Sequence, residues 1–191
     1  MASYKQIVPH VFKWEGGLVY FPTEGQWTNK GVQFSTFKAL APTLLGLANP
    51  TLDDLKTMTN EQAEKFIKYY WDKATYNNSI GNQDSANLMF QALWGSGATG
   101  IKQMQKAVGA SPDGVVGPQT VGLVNTTPKA SEKLYLALNN YYKYLAKVNP
   151  EKYQRFLNGW LQRLGELSPQ VKGGIVGLAI LSLALIIFLN K

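Results

Sequence analysis

Cysteine is absent from this 191-residue chain, and histidine occurs once, at His10. The first absence removes disulfide frameworks, thiol nucleophiles and cysteine-based zinc sites. The second leaves no multi-histidine metal cluster and no ready serine–histidine–aspartate arrangement. Acids are also scarce, twelve Asp and Glu against nineteen Lys and Arg, for a formal net charge of +7. If the chain is an enzyme, carboxylates are its chemistry, and no cofactor or metal is expected. Hydrophobic residues at 45% and aromatics at 12% supply a core, which rules out a disordered or collagen-like chain. The bases come singly or in pairs and never in a block, so the charge reads as a solvated surface rather than a nucleic-acid arm. Mild basicity favours polyanionic partners such as wall polymers or lipid headgroups.

Charge is missing altogether from one stretch. Residues 173–189 read GGIVGLAILSLALIIFL, with Lys172 before and Asn190-Lys191 after. As a helix this segment would span roughly 26 Å at about 1.5 Å per residue, just enough for a thin bilayer core. A helix packed into a protein core keeps a polar face, and this one has none. It is expected to be a C-terminal membrane anchor, introduced by Ser168-Pro169 as cap and first-turn proline. The opening MASYKQIVPH has no apolar h-region of a signal peptide. Without the last 21 residues, seventeen bases and twelve acids leave +5. The mean hydropathy of −0.16 therefore averages two unlike parts.

The remainder reads as helices joined by short loops. Ile7, Val8, Val11, Phe12 and Trp14 have helical spacing over residues 3–15, with Pro9 expected to kink or shorten that helix. Residues 16–31, GGLVYFPTEGQWTNKG, are turn-rich and aromatic and predict a hairpin-like loop. Ser35 is expected to cap a helix over 35–45, and Thr59-Asn60-Glu61-Gln62 is a capping box for a helix to about residue 73. Asp84 is expected to cap another to residue 93, with a short helix over 99–108 behind it. Asp113-Gly114 opens a turn that ends on Pro118 at a first helical position, and Pro128 and Pro150 repeat that device before helices at 129–148 and 150–166.

Most acids then have ordinary roles. Asp53, Asp54, Glu61, Glu64 and Glu151 fall in first turns, where they complement the helix dipole. Glu15 is different: it ends the first helix, directly after Trp14 and directly before Gly16-Gly17. Apolar neighbours disfavour the charged form of a carboxyl, and paired glycines leave open space around it. A general acid for glycoside cleavage needs both, a proton to give and access for a sugar. Glu24 lies nine residues on, and a hairpin folding back over the helix end would bring it, or Thr28, opposite Glu15. Two groups flanking a glycosidic bond, one as acid and one activating water, make a hydrolase site. Trp14, Tyr20, Trp27 and Tyr70 are candidate platforms for sugar rings, with core packing as their competing role.

The string WEGGLVYFPTEGQWTNKG resembles the opening signature of glycoside hydrolase family 108, the lysozyme-like muramidases of phages and bacteria. Glu15-Gly16-Gly17, Pro22, Glu24 and Thr28-Asn29-Lys30-Gly31 fill its places in order. Tyr70-Trp71-Asp72 is similar to the end of a helix in that family. Residues 113–120 resemble the peptidoglycan-binding half that follows, and Gly159, Trp160 and Arg163 its closing helix. The resemblance implies a mainly α, lysozyme-like fold with a small β-hairpin. It implies a hydrolase part at 1–95 and a peptidoglycan-binding-like part at 96–167, with the anchor at 168–191. Glu15 would be the proton donor for the β-1,4 bond between N-acetylmuramic acid and N-acetylglucosamine, assisted by Glu24 or Thr28. Trp14, Tyr20, Trp27, Asn29 and Tyr70 would contact substrate. Two departures stand out. Glu24 replaces the usual Asp, and the family's Phe-Asp-x-x-x-Asn-Ser-Gly reads Phe90-Gln91-Ala92-Leu93-Trp94-Gly95-Ser96-Gly97, losing an Asp and an Asn. A lytic transglycosylase and a catalytically silent wall-binding protein are the alternatives on the same scaffold. Expected partners are peptidoglycan, a lipid membrane through residues 173–189, and a holin or virion capsid or membrane proteins, with no nucleic acid. The expected location is the internal membrane of a virion or the host inner membrane.

Overall fold

The structure, a computed structural model, describes residues 1–22 and 25–168. Glu24 and the apolar segment 173–189 lie outside the described residues. The chain forms two compact units, Ala2–Lys73 and the part from Ala74 onward. Helices dominate both, and a small antiparallel sheet completes the first.

In the first unit a 3-10 turn at Tyr4–Gln6 precedes α1 (Val8–Trp14). Pro9 sits in the first turn of α1, where its missing N–H breaks no helical bond, so it shortens the helix expected from residue 3 rather than kinking it. Three strands follow, β1 (Leu18–Phe21), β2 (Gln26–Asn29) and β3 (Val32–Gln33), paired in that order. The chain passes straight from β3 into α2 (Phe34–Leu45). Ser35 does not cap α2: the helix begins one residue earlier, and the Ser35 N–H donates to Gln26 Oε1 at 3.2 Å. Next comes α3 (Leu52–Lys56), closed at its start by reciprocal bonds between Thr51 and Asp54 that hold the Asp54 carboxyl below its usual range. The expected box before α4 (Asn60–Thr75) is present, with Thr59 N–H donating to Gln62 Oε1 at 2.9 Å and Gln62 N–H to Thr59 Oγ1 at 3.2 Å. Ala63, Phe66, Ile67 and Trp71 recur at helical spacing on α4 and are all buried, and Phe66 stacks on Phe37 of α2 at 5.7 Å.

The second unit is built on α5 (Gln83–Val108), α6 (Pro118–Thr126), α7 (Ala130–Val148) and α8 (Pro150–Leu167). The cap of α5 is Asn82, whose Oδ1 accepts the Ser85 N–H at 2.9 Å. Asp84 lies in the first turn instead, and burial pushes its carboxyl up. Both residues are good caps, and two positions separate them. A break at Gly97 (φ 56°, ψ −147°) divides α5 into halves that match the two helices expected there. Just beyond it, Gly100 packs so tightly that a Cβ would sit 2.2 Å from the Ala92 carbonyl oxygen. The second half of α5 packs on α7 and α7 on α8, burying Ile101, Met104, Leu134, Leu138 and Leu164. Among the described residues no helix is long and apolar enough to cross a membrane.

The Asp113-Gly114 turn is a clip on α5. Buried Gln105 accepts the Gly114 N–H through Oε1 at 2.8 Å, and its Nε2 reaches Asp113 Oδ1 at 2.7 Å, Val115 O at 2.9 Å and Thr120 Oγ1 at 3.2 Å. Gly114 takes φ +86°, and a Cβ there would come within 3.0 Å of the Ala98 Cβ. The Val115 N–H and then the Gln105 amide hold the Asp113 carboxyl below its usual range. A carboxylate whose folded pKa is depressed stabilises the fold above its unfolded pKa, and that contribution is lost as pH falls through the folded value. Asp113→Asn should therefore melt below the parent at neutral pH. The gap should narrow in thermal scans below about pH 4, whereas a gap independent of pH would show that the charge contributes nothing.

Candidate active site

Glu15 is the last residue of the first turn-and-helix segment. Its N–H donates to Val11 O at 2.7 Å, its backbone leaves helical geometry at φ −104°, ψ 35°, and its side chain is half-buried. Gly17 follows at φ +78°, a conformation that L-residues rarely adopt, and this turns the chain into β1. Trp14 is half-buried beside it, with Lys13 Nζ 5.6 Å from the ring centroid and the His10 ring at 6.5 Å.

The sheet fixes what faces what. Leu18 pairs with Asn29, Val19 with Thr28, Tyr20 with Trp27 and Phe21 with Gln26. On the other side Thr28 pairs with Gln33 and Asn29 with Val32. Lys30 and Gly31 link β2 to β3 with φ of +48° and +81°, the two-residue turn whose twist suits a hairpin. The Lys30 N–H donates to Gly17 O at 3.4 Å, so the end of β2 lies beside the glycine corner that follows Glu15.

Alternation along β2 separates the expected site residues. Tyr20 and Trp27 share one face with Leu18 and Asn29, and their rings meet at 5.3 Å. Lys56 Nζ stands 5.8 Å from the Trp27 ring centroid. Thr28 points to the opposite face with Val19 and Gln33. It is 9% exposed, and its Oγ1 has no hydrogen-bond partner among the described residues. A buried hydroxyl normally finds a partner, and the Thr28 oxygen is itself closed off from the surface.

Asn29, expected as a substrate contact, is committed elsewhere. It is 2% exposed, and its Nδ2 donates to Leu55 O at 2.8 Å and Lys56 O at 3.2 Å. Both amide hydrogens therefore tie β2 to the end of α3. Sequence reasoning could not find this tie, because the acceptors are backbone carbonyls far along the chain. Tyr70 is half-buried on α4, edge-on to Tyr69 at 5.5 Å, and Asp72 is engaged by Lys68 one turn earlier. Among the described residues no group of three His, Cys, Asp or Glu side chains could hold a metal.

The two departures from the expected segment on α5 touch each other. Gln91 is 3% exposed, and its Nε2 lies 3.2 Å from the point where a Cβ on Gly95 would stand. The longer amide at 91 fills room that a side chain at 95 would need.

Known proteins match in the same order. Residues 8–97 match the family model of Glycosyl hydrolase 108, and residues 99–165 that of a Predicted Peptidoglycan domain. The solved structure of Brucella abortus SagA is similar at 24% identity, covering 89% of this chain and 94% of that one with a TM-score of 0.68, a likeness that shows the fold. No curated protein matches the chain. The protein is a glycoside hydrolase. With a peptidoglycan domain directly behind the hydrolase segment, it is more narrowly a peptidoglycan hydrolase. The two family segments meet at the Gly97 break, whereas the compact units divide between Lys73 and Ala74.

Removing the Asn29 amide takes one donor from the Leu55 carbonyl, which keeps the Met58 N–H at 3.3 Å, and one from the Lys56 carbonyl. Asn29→Ala should cost about 1–3 kcal/mol in chemical denaturation. Activity should fall further than the folded fraction does, because the hairpin loses its fixed position. A variant as stable and active as the parent would show that the tie is dispensable.

Proposed function

We propose that the protein is a muramidase in which Glu15 is the general acid. The observation that carries this reading is the position of Glu15, at a helix end that opens through Gly17 onto the strand paired with Thr28. Glu15 gives its proton to the oxygen linking N-acetylmuramic acid to N-acetylglucosamine as that β-1,4 bond breaks, and positive charge grows on the sugar. A water on the far face of the ring completes the hydrolysis. The unpartnered Thr28 hydroxyl orients that water, and Glu24, outside the described residues, takes its proton. Trp14 and Tyr70 contribute sugar contacts. Tyr20 and Trp27, whose rings meet on the face of the hairpin away from Thr28, offer further sugar contacts.

The apolar composition of residues 173–189 supports a membrane anchor, and the resemblance to phage and bacterial muramidases supports local wall opening by a phage. The tethered enzyme would act from a lipid-bearing virion or from the host inner membrane, exposed there by a holin.

Glu15→Gln keeps the shape of the side chain and removes its acid. Release of fragments from purified sacculi should fall by about 100-fold or more with the melting temperature unchanged, and undiminished release would exclude Glu15. Mass spectrometry of the parent's products should show reducing ends. Uniform 1,6-anhydro ends would instead make the enzyme a lytic transglycosylase, which uses one acid and no water.

Deleting residues 169–191 should move the protein from the membrane fraction to the soluble fraction while sacculus hydrolysis per molecule persists. A full chain already soluble without detergent would overturn the anchor.

A further inference from the structure

Charge is divided unevenly along the chain. Residues 1–96 balance eight bases with eight acids, whereas residues 97–168 hold nine bases and four acids, so the whole +5 ahead of the apolar run belongs to the second stretch. Much of it lies on α7. The inner side of that helix is buried through Leu134, Tyr135, Leu138, Tyr142 and Ala146. Its outer side carries Lys133, Leu136, Asn140, Lys143 and Lys147 at alternating steps of three and four residues, all of them exposed. Tyr144 and Val148 flank this stripe. With Leu136 they leave three large apolar side chains in water, at 59%, 54% and 42% exposure for Tyr144, Val148 and Leu136.

The three lysines have no ion pair or hydrogen bond among the described residues. Glu132, the one acid of α7, is engaged by Lys129 at 3.6 Å. From α5, exposed Lys106 borders the same open hollow as Asn140 and Tyr144, which extends the basic surface beyond one helix.

This mixture selects its partner. A face turned only to water gains nothing from exposed Leu, Tyr and Val between its lysines. A soluble polyanion would engage the lysines and leave the apolar groups wet. A bilayer surface uses both kinds: the ammonium groups meet lipid phosphates, Leu136 and Val148 enter the boundary with the acyl chains, and the Tyr144 ring sits at headgroup level. The chain also leads there, since it leaves the described residues at Ser168, five positions before the uncharged run 173–189.

Resting on the reading of that run as a membrane anchor, we infer that the outer face of α7 docks on anionic lipid headgroups. The tail keeps the second unit near a bilayer, and the α7 face decides which side of that unit turns towards it. Neutral lipids give the lysines no net charge to pair with, so docking depends on headgroup charge whereas anchoring does not.

Cysteine is absent from the chain, so Tyr144→Cys accepts a single environment-sensitive dye. The labelled full-length chain is reconstituted into vesicles of phosphatidylcholine, with and without phosphatidylglycerol. Emission should shift to the blue, with quenching by spin-labelled lipid, in the anionic vesicles and not in the neutral ones. Replacing Lys133, Lys143 and Lys147 together by Gln, all at exposed positions, should lower the docked-to-free ratio about 100-fold, or about fivefold for each lysine, with unchanged melting. Equal signals in both kinds of vesicle, or a triple variant that docks like the parent, would overturn the face. A soluble polyglycerol phosphate that shifts the dye as far as vesicles do would overturn the choice of lipid. The two readings fail separately. A chain that does not float with neutral vesicles lacks the anchor, and its dye still reports docking on anionic ones. A floating chain whose dye stays in water on anionic vesicles lacks only the docking face.

Discussion

Strands of four, four and two residues make a sheet too small to stand alone in water. It leans on α2, into which β3 runs directly, and a carboxamide ties it to α3. Carbonyls at the end of a helix have no partner within it, and the two Asn29 hydrogens go to that of Lys56 and to that of Leu55, which also accepts the Met58 N–H. The site inherits its geometry from that contact. Thr28 is the adjacent residue and must point the opposite way, and the ladder carries the constraint through β1 to the corner at Gly17 and so to Glu15. Even α3, only five residues long, bears on the hairpin, because the Thr51–Asp54 box starts the helix whose last carbonyls Asn29 grips.

Two sequence signatures acquire different meanings once their contacts are known. Thr28-Asn29-Lys30-Gly31 combines three functions in four residues: an uncommitted hydroxyl, a tether, and a turn with two positive φ values. The Asp113-Gly114 signature is structural throughout. Gln105 gathers its polar groups, and the missing side chain of Gly114 lets the turn lie against Ala98.

Elements set by local rules were legible in the sequence. The Thr59 box and the first-position prolines Pro118 and Pro150 act over three or four residues and do what their type predicts, whereas Pro128 lies in the turn before α7, which begins at Ala130 behind a left-handed Lys129. Legibility ended where partners are distant or rivals adjacent. Asn82 and Asp84 are both natural caps, and nothing local chooses between them. The Asn29 tether depends on a helix end more than twenty residues away. The division of Thr28 from Trp27 was partly accessible, since the Lys30-Gly31 turn sets the register of β2 and β3, but the facing partners on β1 required the fold. Glu15 stood out in the sequence because its surroundings are sequential: an indole before it and two glycines after.

The contact between Gln91 and the empty side of Gly95 ties two substitutions into one event. A Cβ restored at 95 would stand 3.2 Å from Gln91 Nε2, so the end of that amide would have to give way by a few tenths of an ångström. Shortening 91 while Gly95 remains would leave a gap in a buried stretch of α5. The two positions are neighbours, so the effects of changes at both are not expected to add.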